Sequence, residues 1–140
     1  MLDDPALRLF VYGTLLSGEP SHDRLANAEP LGACRTAPMF DLIDLGPYPA
    51  LVAGGETSVS GELYLLKRSE LLALDVFEEV PILYQRVVIP LDDDSQAHTY
   101  VMARDQVRGR RRLHGGDWRK RFTREPRPEF TFPSRPKRGE

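Results

Sequence analysis

The stretch over residues 9–16, LFVYGTLL, most constrains how this chain folds. Its first half is a short run of apolar and aromatic residues, which predicts a buried β-strand over about residues 7–12. Gly13 ends the run, because a residue without Cβ permits unusual backbone dihedrals and close approach by another group. In a tight turn the N–H groups of Gly13, Thr14 and Leu15 would face outward and form a small anion-binding concavity. The same residues also fit an ordinary first strand that ends in a turn.

The remainder of the chain shows short strand patterns separated by turns that are rich in glycine and proline. The predicted strands are residues 33–40, 42–45, 59–66, 84–89 and 97–103, with a hairpin turn at 92–95. One amphipathic helix is predicted to begin after Ser69, a good N-cap residue. One face of this helix carries Leu71, Leu74, Phe77 and Glu78. The pattern predicts an α+β fold, in which a small curled β-barrel-like sheet is flanked by helices.

Length and composition limit the function classes. The 140 residues suffice for one core-forming domain, expected over residues 1–122, and no apolar run is long enough to span a bilayer. The acidic N-terminus does not resemble a secretory signal, so we expect a cytoplasmic protein. The single cysteine, Cys34, is either a small core residue or a thiol activated beside Arg35. Because the histidines lack metal-ligand spacing and no nucleotide-binding motif occurs, we expect no metal and no cofactor.

Charge is unevenly distributed, although the net charge is only −2. Residues 1–103 contain 6 basic and 16 acidic side chains, whereas residues 104–140 contain 13 basic and 5 acidic ones. We expect residues 123–140, which are rich in proline and arginine, to be a disordered tail that folding does not require. A nucleic-acid-binding arm is the alternative, but a body with a net charge of −10 would repel phosphates. We therefore expect neither a nucleic-acid nor a membrane partner.

Glu78 is the unusual residue of the predicted helix, because it falls on the apolar face, four residues after Leu74. A carboxylate against an apolar wall has its ionised form disfavoured, which raises its pKa towards the range useful for proton transfer. Glu79 falls instead on the polar outer face, four residues after Asp75. Two alternatives remain open: the helix ends before Glu78 and leaves it in a solvated loop, or Glu78 pairs with Arg86.

Several motifs occur in an order that resembles the γ-glutamylcyclotransferase-like family, which includes AIG2-like proteins and γ-glutamylamine cyclotransferase. They are residues 11–15 (VYGTL), 47–51 (PYPAL), 61–64 (GELY) and 74–78 (LDVFE), then Tyr84 and Arg86, and finally 116–118 (GDW). Many members have Glu-Gly where this chain has Glu78-Glu79, and helical phase selects Glu78 as the counterpart. The resemblance implies a small β-barrel in which the Tyr-Gly-Thr-Leu loop faces this glutamate across a cavity.

The resemblance also implies an enzyme of lyase or acyltransferase type that releases 5-oxoproline from a small γ-glutamyl substrate. In that reaction the substrate's α-amine attacks its own γ-carbonyl and expels an amine or amino acid, without a cofactor. Glu78 is the expected general acid and base. The expected substrate-binding residues are Tyr12, Gly13, Thr14, Leu15, Tyr84 and Arg86. A non-catalytic module of the same fold that binds a small acidic ligand is the alternative, and the leaving group and oligomeric state are not determined by these residues.

Overall fold

The computed structural model describes residues 5–122, so the expected tail at 123–140 lies outside the described residues. The strands are β1 (Ala6–Val11), β2 (Glu29–Arg35), β3 (Phe40–Asp44), β4 (Pro49–Ala53), β5 (Ser60–Lys67), β6 (Gln85–Pro90), β7 (Gln96–Val101) and β8 (Arg111–Arg112). The α-helix α1 (Arg68–Phe77) follows β5, and short 3-10 helices cover His22–Leu25, Arg104–Val107 and Trp118–Lys120. Within the described residues, no helix has both the length and the apolar character needed to cross a bilayer.

The strands form one curled sheet in the order β2-β5-β1-β7-β4-β3-β8, with β6 on the other edge of β7. Strands β6 and β7 form the antiparallel hairpin that the sequence predicts. On the edge away from β6, β7 pairs in parallel with two strands. It pairs with β1 through Leu9 and His98, and with β4 through Leu51 and Val101. Because β1 and β4 share this edge, they must diverge, and the sheet closes into a half-barrel. The predicted α+β fold with a barrel-like sheet is confirmed.

One contiguous core fills the curled sheet. Phe10, Leu42, Leu51 and Trp118 are among its largest fully buried side chains. Helix α1 packs on β1 and β5, and its Leu71 is completely buried. Burial of such a side chain stabilises the fold by about 1.5–3 kcal/mol, which anchors α1 and therefore also the residues that follow it.

The ends of several elements differ from the sequence prediction. Helix α1 begins after Lys67 rather than after Ser69, because the Glu70 carboxylate accepts a hydrogen bond from the Lys67 backbone N–H (2.8 Å) and closes the first turn. The strand predicted over 33–40 ends at Arg35, shortly before Pro38, which has no N–H to donate to a ladder. Strand β4 was not predicted, since its short apolar run directly follows a turn rich in proline.

Gly61 lies where β5 runs closest to β1. A Cβ atom at this position would meet the backbone carbonyl oxygen of Val11, and it would lie 2.5 Å from Cζ of Phe10. The absence of a side chain at residue 61 therefore permits this close approach of the two strands.

We expect Gly61→Ala to lower the free energy of unfolding by about 1–3 kcal/mol, because the added methyl group must displace a strand backbone and a buried ring. Urea denaturation followed by circular dichroism measures this change. The control Ala33→Ser adds one heavy atom at an exposed position of the neighbouring strand and should remain within about 0.5 kcal/mol of the parent. An unchanged midpoint for Gly61→Ala would contradict the close packing of β1 against β5.

Candidate active site

A cavity of about 500 Å³ opens between the end of β1, the turn before β4 and the end of helix α1. This volume is typical of small-molecule sites, and most of the wall is apolar or aromatic. The lining residues are Phe10, Val11, Tyr12, Gly13, Thr14, Leu15, Pro20, Ser21, Pro47, Tyr48, Pro49, Phe77, Glu78, Glu79, Leu83, Tyr84 and Tyr100. The cavity thus brings together every sequence-predicted site residue except Arg86. The predicted site did not include residues 47–49, which form one wall of the cavity. These residues belong to the motif at 47–51, and that motif was the signal from which the wall could have been found.

The loop after β1 places unpaired backbone N–H groups at the cavity wall. The carbonyl oxygens of Gly13, Thr14 and Leu15 are hydrogen-bonded at 2.9–3.0 Å to the Leu16 amide, the Ser21 amide and the His22 ring, respectively. The amides of Gly13, Thr14 and Leu15, by contrast, have no acceptor within residues 5–122. A run of such amides is suited to binding an anion or to stabilising an oxyanion.

Glu62 of β5 holds the far end of this loop. Its carboxylate accepts hydrogen bonds from the amide and hydroxyl of Ser17 (2.9 and 2.7 Å), from the Tyr64 hydroxyl (3.0 Å) and from Arg119 (2.9 Å). Burial alone would raise the pKa of Glu62, but these donors outweigh it and lower the pKa to about 2. The carboxylate therefore stays charged, and the motif at residues 61–64 positions the loop rather than the chemistry.

Gly13 is required for close packing and not for an unusual backbone conformation. Gly13 is not among the glycines of residues 5–122 that have a positive φ angle, so the expectation of unusual dihedrals is wrong. A Cβ atom here would lie only 2.6 Å from Cγ of Pro49, which confirms the expected close approach. The Pro49 carbonyl in turn accepts a hydrogen bond from the Tyr84 hydroxyl (2.6 Å). The glycine thus lets the loop after β1 contact the start of β4, so that two cavity walls meet.

Buried tyrosines shape the cavity. The Tyr12 hydroxyl donates to the Tyr100 carbonyl (2.6 Å) and accepts from the Leu51 amide (3.1 Å), while the Tyr100 hydroxyl donates to Asp75 (2.8 Å). Burial raises the pKa of Tyr12, Tyr84 and Tyr100 well above the ordinary value, so these hydroxyls remain protonated donors. Since each donates its proton within the protein, we assign them to the wall of the cavity.

Glu78 stands directly after the last residue of α1. Its backbone N–H donates to the Leu74 carbonyl (2.8 Å), so the helical hydrogen-bond pattern extends to it. The side chain lines the cavity, and its carboxylate forms no ion pair with any cation of residues 5–122. Burial raises the pKa of Glu78 to about 7, although the positive charge of Arg24 acts to lower it. The helix does end before Glu78, as one alternative supposed, but the glutamate is not left in a solvated loop.

Arg86 does not line the cavity, so the structure does not support its expected place among the substrate-binding residues. Its Nε lies 2.8 Å from Oδ1 of Asp75, and its Nη1 lies 2.9 Å from Nδ1 of His98. The predicted alternative in which Arg86 pairs with Glu78 is therefore wrong as well. The only cation whose charge is seen to act on Glu78 among residues 5–122 is Arg24, which forms no ion pair with it.

Glu79 lines the cavity too, although helical phase predicts that it lies on the outer face. The helix ends at Phe77, and Glu79 adopts a left-handed backbone conformation with a φ angle of 57°. Such a conformation costs a residue other than glycine about 1–2 kcal/mol. The turn redirects the exposed side chain of Glu79 to the cavity, and helical periodicity no longer applies to it.

Cys34 lies outside the cavity. Its burial, and then the nearby charge of Asp92, raise the pKa of the thiol to about 11, so it is not an activated nucleophile. The guanidinium of Arg35 donates instead to the Ser60 hydroxyl (2.6 Å). In the described part of the chain, no three His, Cys, Asp or Glu side chains are grouped so that they could hold a metal ion.

Fold and site define a class of protein: a small half-barrel with a partly buried glutamate and a loop whose amides have no acceptor within residues 5–122 around one cavity. The family model described as gamma-glutamyl cyclotransferase, AIG2-like, matches residues 9–120. The chain belongs to this family, as its motifs indicate.

Individual relatives agree with this membership. A Vibrio cholerae protein provisionally named gamma-glutamylcyclotransferase is 47% identical over 81 residues, which cover 58% of this chain and 70% of that protein. Gamma-glutamylaminecyclotransferase B of Danio rerio is 38% identical over 93 residues, which cover 60% of this chain but only 49% of the fish protein. The crystal structure of an AIG2-like protein from Mus musculus has a TM-score of 0.70 at 28% identity, covering 78% of this chain and 86% of that chain.

We expect Glu78→Gln to stabilise the fold at alkaline pH and to leave it unchanged at acidic pH. The folded carboxyl keeps its proton up to about pH 7, whereas the unfolded one loses it near 4.5, so stability falls as pH rises through this window. At pH 8 the variant should gain as much as about 3 kcal/mol, the equivalent of this pKa difference. Urea denaturation at pH 4 and pH 8 measures the effect, with the exposed Glu56→Gln as a control. A gain that does not depend on pH would contradict the burial of an ionisable Glu78.

Proposed function

We propose that this chain is a γ-glutamylcyclotransferase that releases 5-oxoproline from a small γ-glutamyl compound. The observation that carries the proposal is the Glu78 carboxyl, whose pKa of about 7 suits proton transfer at neutral pH, in one cavity with the unpaired amides of residues 13–15. Family membership and the names of the relatives support the same activity. A γ-glutamylamine or a similar conjugate is the preferred substrate class.

The reaction needs little covalent chemistry from the protein. The substrate's α-amino nitrogen forms a bond to its own γ-carbonyl carbon, and the bond from that carbon to the amide nitrogen then breaks. The acyl group passes to an amine of the same molecule and no water is consumed, which fits a lyase- or acyltransferase-type reaction. Because the nucleophile is intramolecular, holding the substrate in a folded conformation supplies about 7–11 kcal/mol of the barrier reduction. The apolar and aromatic cavity wall performs this folding.

Glu78 carries the proton between the two nitrogens. The α-amine is mostly protonated at neutral pH and must lose a proton before it attacks. The ionised carboxylate accepts that proton and, once protonated, delivers it to the departing nitrogen. The attacking nitrogen loses a second proton after the bond forms, and the released amine takes up a proton as its ammonium ion, so that no net proton is consumed. A carboxyl with a pKa near 7 performs both steps, whereas one near its usual value of 4.5 would be a weak base and would rarely hold the proton.

The loop after β1 stabilises the charge that develops on the γ-carbonyl oxygen. In the tetrahedral intermediate this oxygen becomes an oxyanion, and the unpaired amides of Gly13, Thr14 and Leu15 are the available donors. One such donor is typically worth about 2.7–4 kcal/mol. The Thr14 hydroxyl is free to hold the substrate's α-carboxylate or amine, and Tyr12 and Tyr84 close the wall behind it.

We expect Glu78→Gln to reduce turnover at least about a hundredfold, because the amide cannot accept the proton of the α-amine. The variant should still fold and bind a γ-glutamylamine, since glutamine keeps the volume of the side chain. Chromatographic detection of 5-oxoproline and calorimetric titration measure the two properties, with Glu56→Gln as the control for loss of one surface carboxylate. Normal turnover in Glu78→Gln would refute the mechanism. Binding without release by the parent chain would favour the non-catalytic module.

The pH dependence of kcat/KM should report the ionisation of Glu78. Because the ionised carboxylate is the active form, kcat/KM should fall about tenfold per unit below a pH of about 7. Initial rates of 5-oxoproline release between pH 4 and pH 8 test this, with circular dichroism to show that the protein stays folded. An acidic limb near pH 4.5, or no acidic limb at all, would contradict the assigned role.

A further inference from the structure

The cavity carries an unusual charge for a site that is proposed to hold a γ-glutamyl compound. Its charged lining residues are Glu78 and Glu79, and no Lys, Arg or His of residues 5–122 lines it. Arg24, whose charge acts on Glu78, stacks over the ring of Phe77, with its guanidinium carbon 3.7 Å from the ring centroid. A leaving group that enters this cavity therefore meets carboxylates but no cation among the described lining residues.

Glu79 and Glu78 differ in exposure, and this suggests different roles. Glu78 is partly buried, whereas Glu79 is exposed and shares the rim of the cavity with the exposed Pro20 and Pro47. Of these three rim residues, Glu79 is the one with a charged side chain. Since the γ-glutamyl end must reach Glu78 and the amides of residues 13–15, the leaving amine extends towards this rim.

The backbone of Glu79 is held on both sides. Its N–H donates to the Val76 carbonyl (3.1 Å), and its carbonyl accepts from the Leu83 amide (2.9 Å). Its φ angle of 57° is one that glycine adopts without strain, so a glutamate here carries a conformational cost. The carboxylate has no hydrogen bond or ion pair within residues 5–122 that would account for that cost.

We propose that Glu79 selects the leaving group, favouring γ-glutamylamines whose amine portion carries a second positive charge, such as a diamine, over neutral and anionic ones. The proposal rests on the proposed function and concerns only which amine is expelled. A distal ammonium group at the rim is attracted by the Glu79 carboxylate. The carboxylate of an amino-acid leaving group is repelled by it and finds no cation among the lining residues.

The test compares γ-glutamyl derivatives of 1,4-diaminobutane, butylamine and 4-aminobutyrate, which share one chain length and differ in terminal charge. For the parent chain, kcat/KM for 5-oxoproline release should decrease in that order, by about three- to tenfold from the cationic to the anionic compound. Glu79→Gln should remove most of this preference, chiefly through KM, so that the three compounds react with similar kcat/KM. Raising the salt concentration should weaken the preference of the parent but not that of the variant.

Glu79→Gly separates this role from a structural one. Glycine relieves the left-handed backbone, so the variant should be at least as stable as the parent and yet lose the preference for the cationic compound. Glu56→Gln, which removes an exposed carboxylate that does not line the cavity, should keep the preference. If the parent releases 5-oxoproline from the three compounds equally, or if Glu79→Gln keeps the order, the inference is wrong while the proposed function stands. Absence of release from all three compounds would overturn both.

Discussion

One edge of strand β7 must serve two parallel partners, and the site depends on how this conflict is resolved. Strand β1 leaves that edge where β4 joins it, so the regular ladder is interrupted. Side-chain hydroxyls complete the interrupted hydrogen bonding: the Thr99 hydroxyl donates to the Phe10 carbonyl (2.8 Å), and the Tyr12 hydroxyl joins the Tyr100 carbonyl to the Leu51 amide. Because the two strands separate here, no further strand pairs with the loop after β1. Its amides therefore have no acceptor within residues 5–122 and line an open cavity.

The chemistry follows from where helix α1 ends relative to this opening. The buried Leu71 anchors the helix, and the carboxylate of Glu78 consequently lies in the cavity, partly out of water. Arg86 is paired with Asp75, and no cation of residues 5–122 forms an ion pair with Glu78. An unpaired carboxylate in such a place binds its proton more tightly than in water, and this is what a shuttle between two nitrogens requires.

Sequence reasoning predicted what local periodicity determines. Helical phase placed Glu78 towards the core, and the strand–glycine pattern marked the loop at Gly13. It failed where the chain departs from a regular element or where partners are distant in sequence. The left-handed turn at Glu79 begins after the helix ends, and the Arg86–Asp75 pair joins two different elements. Residue 13 must be glycine because Pro49, in a strand that was not predicted, packs against it. None of these contacts is visible in a window of neighbouring residues.

The central claim is that the cavity raises the pKa of Glu78 into the neutral range. Carbon-13 NMR of the glutamate side-chain carboxyls, titrated from pH 3 to pH 9, measures that pKa directly, and the Glu78→Gln spectrum assigns the resonance. The account predicts a midpoint near 7 for this carboxyl. A midpoint near 4.5, the value of an ordinary glutamate, would contradict it and would remove the basis for proton transfer at this site.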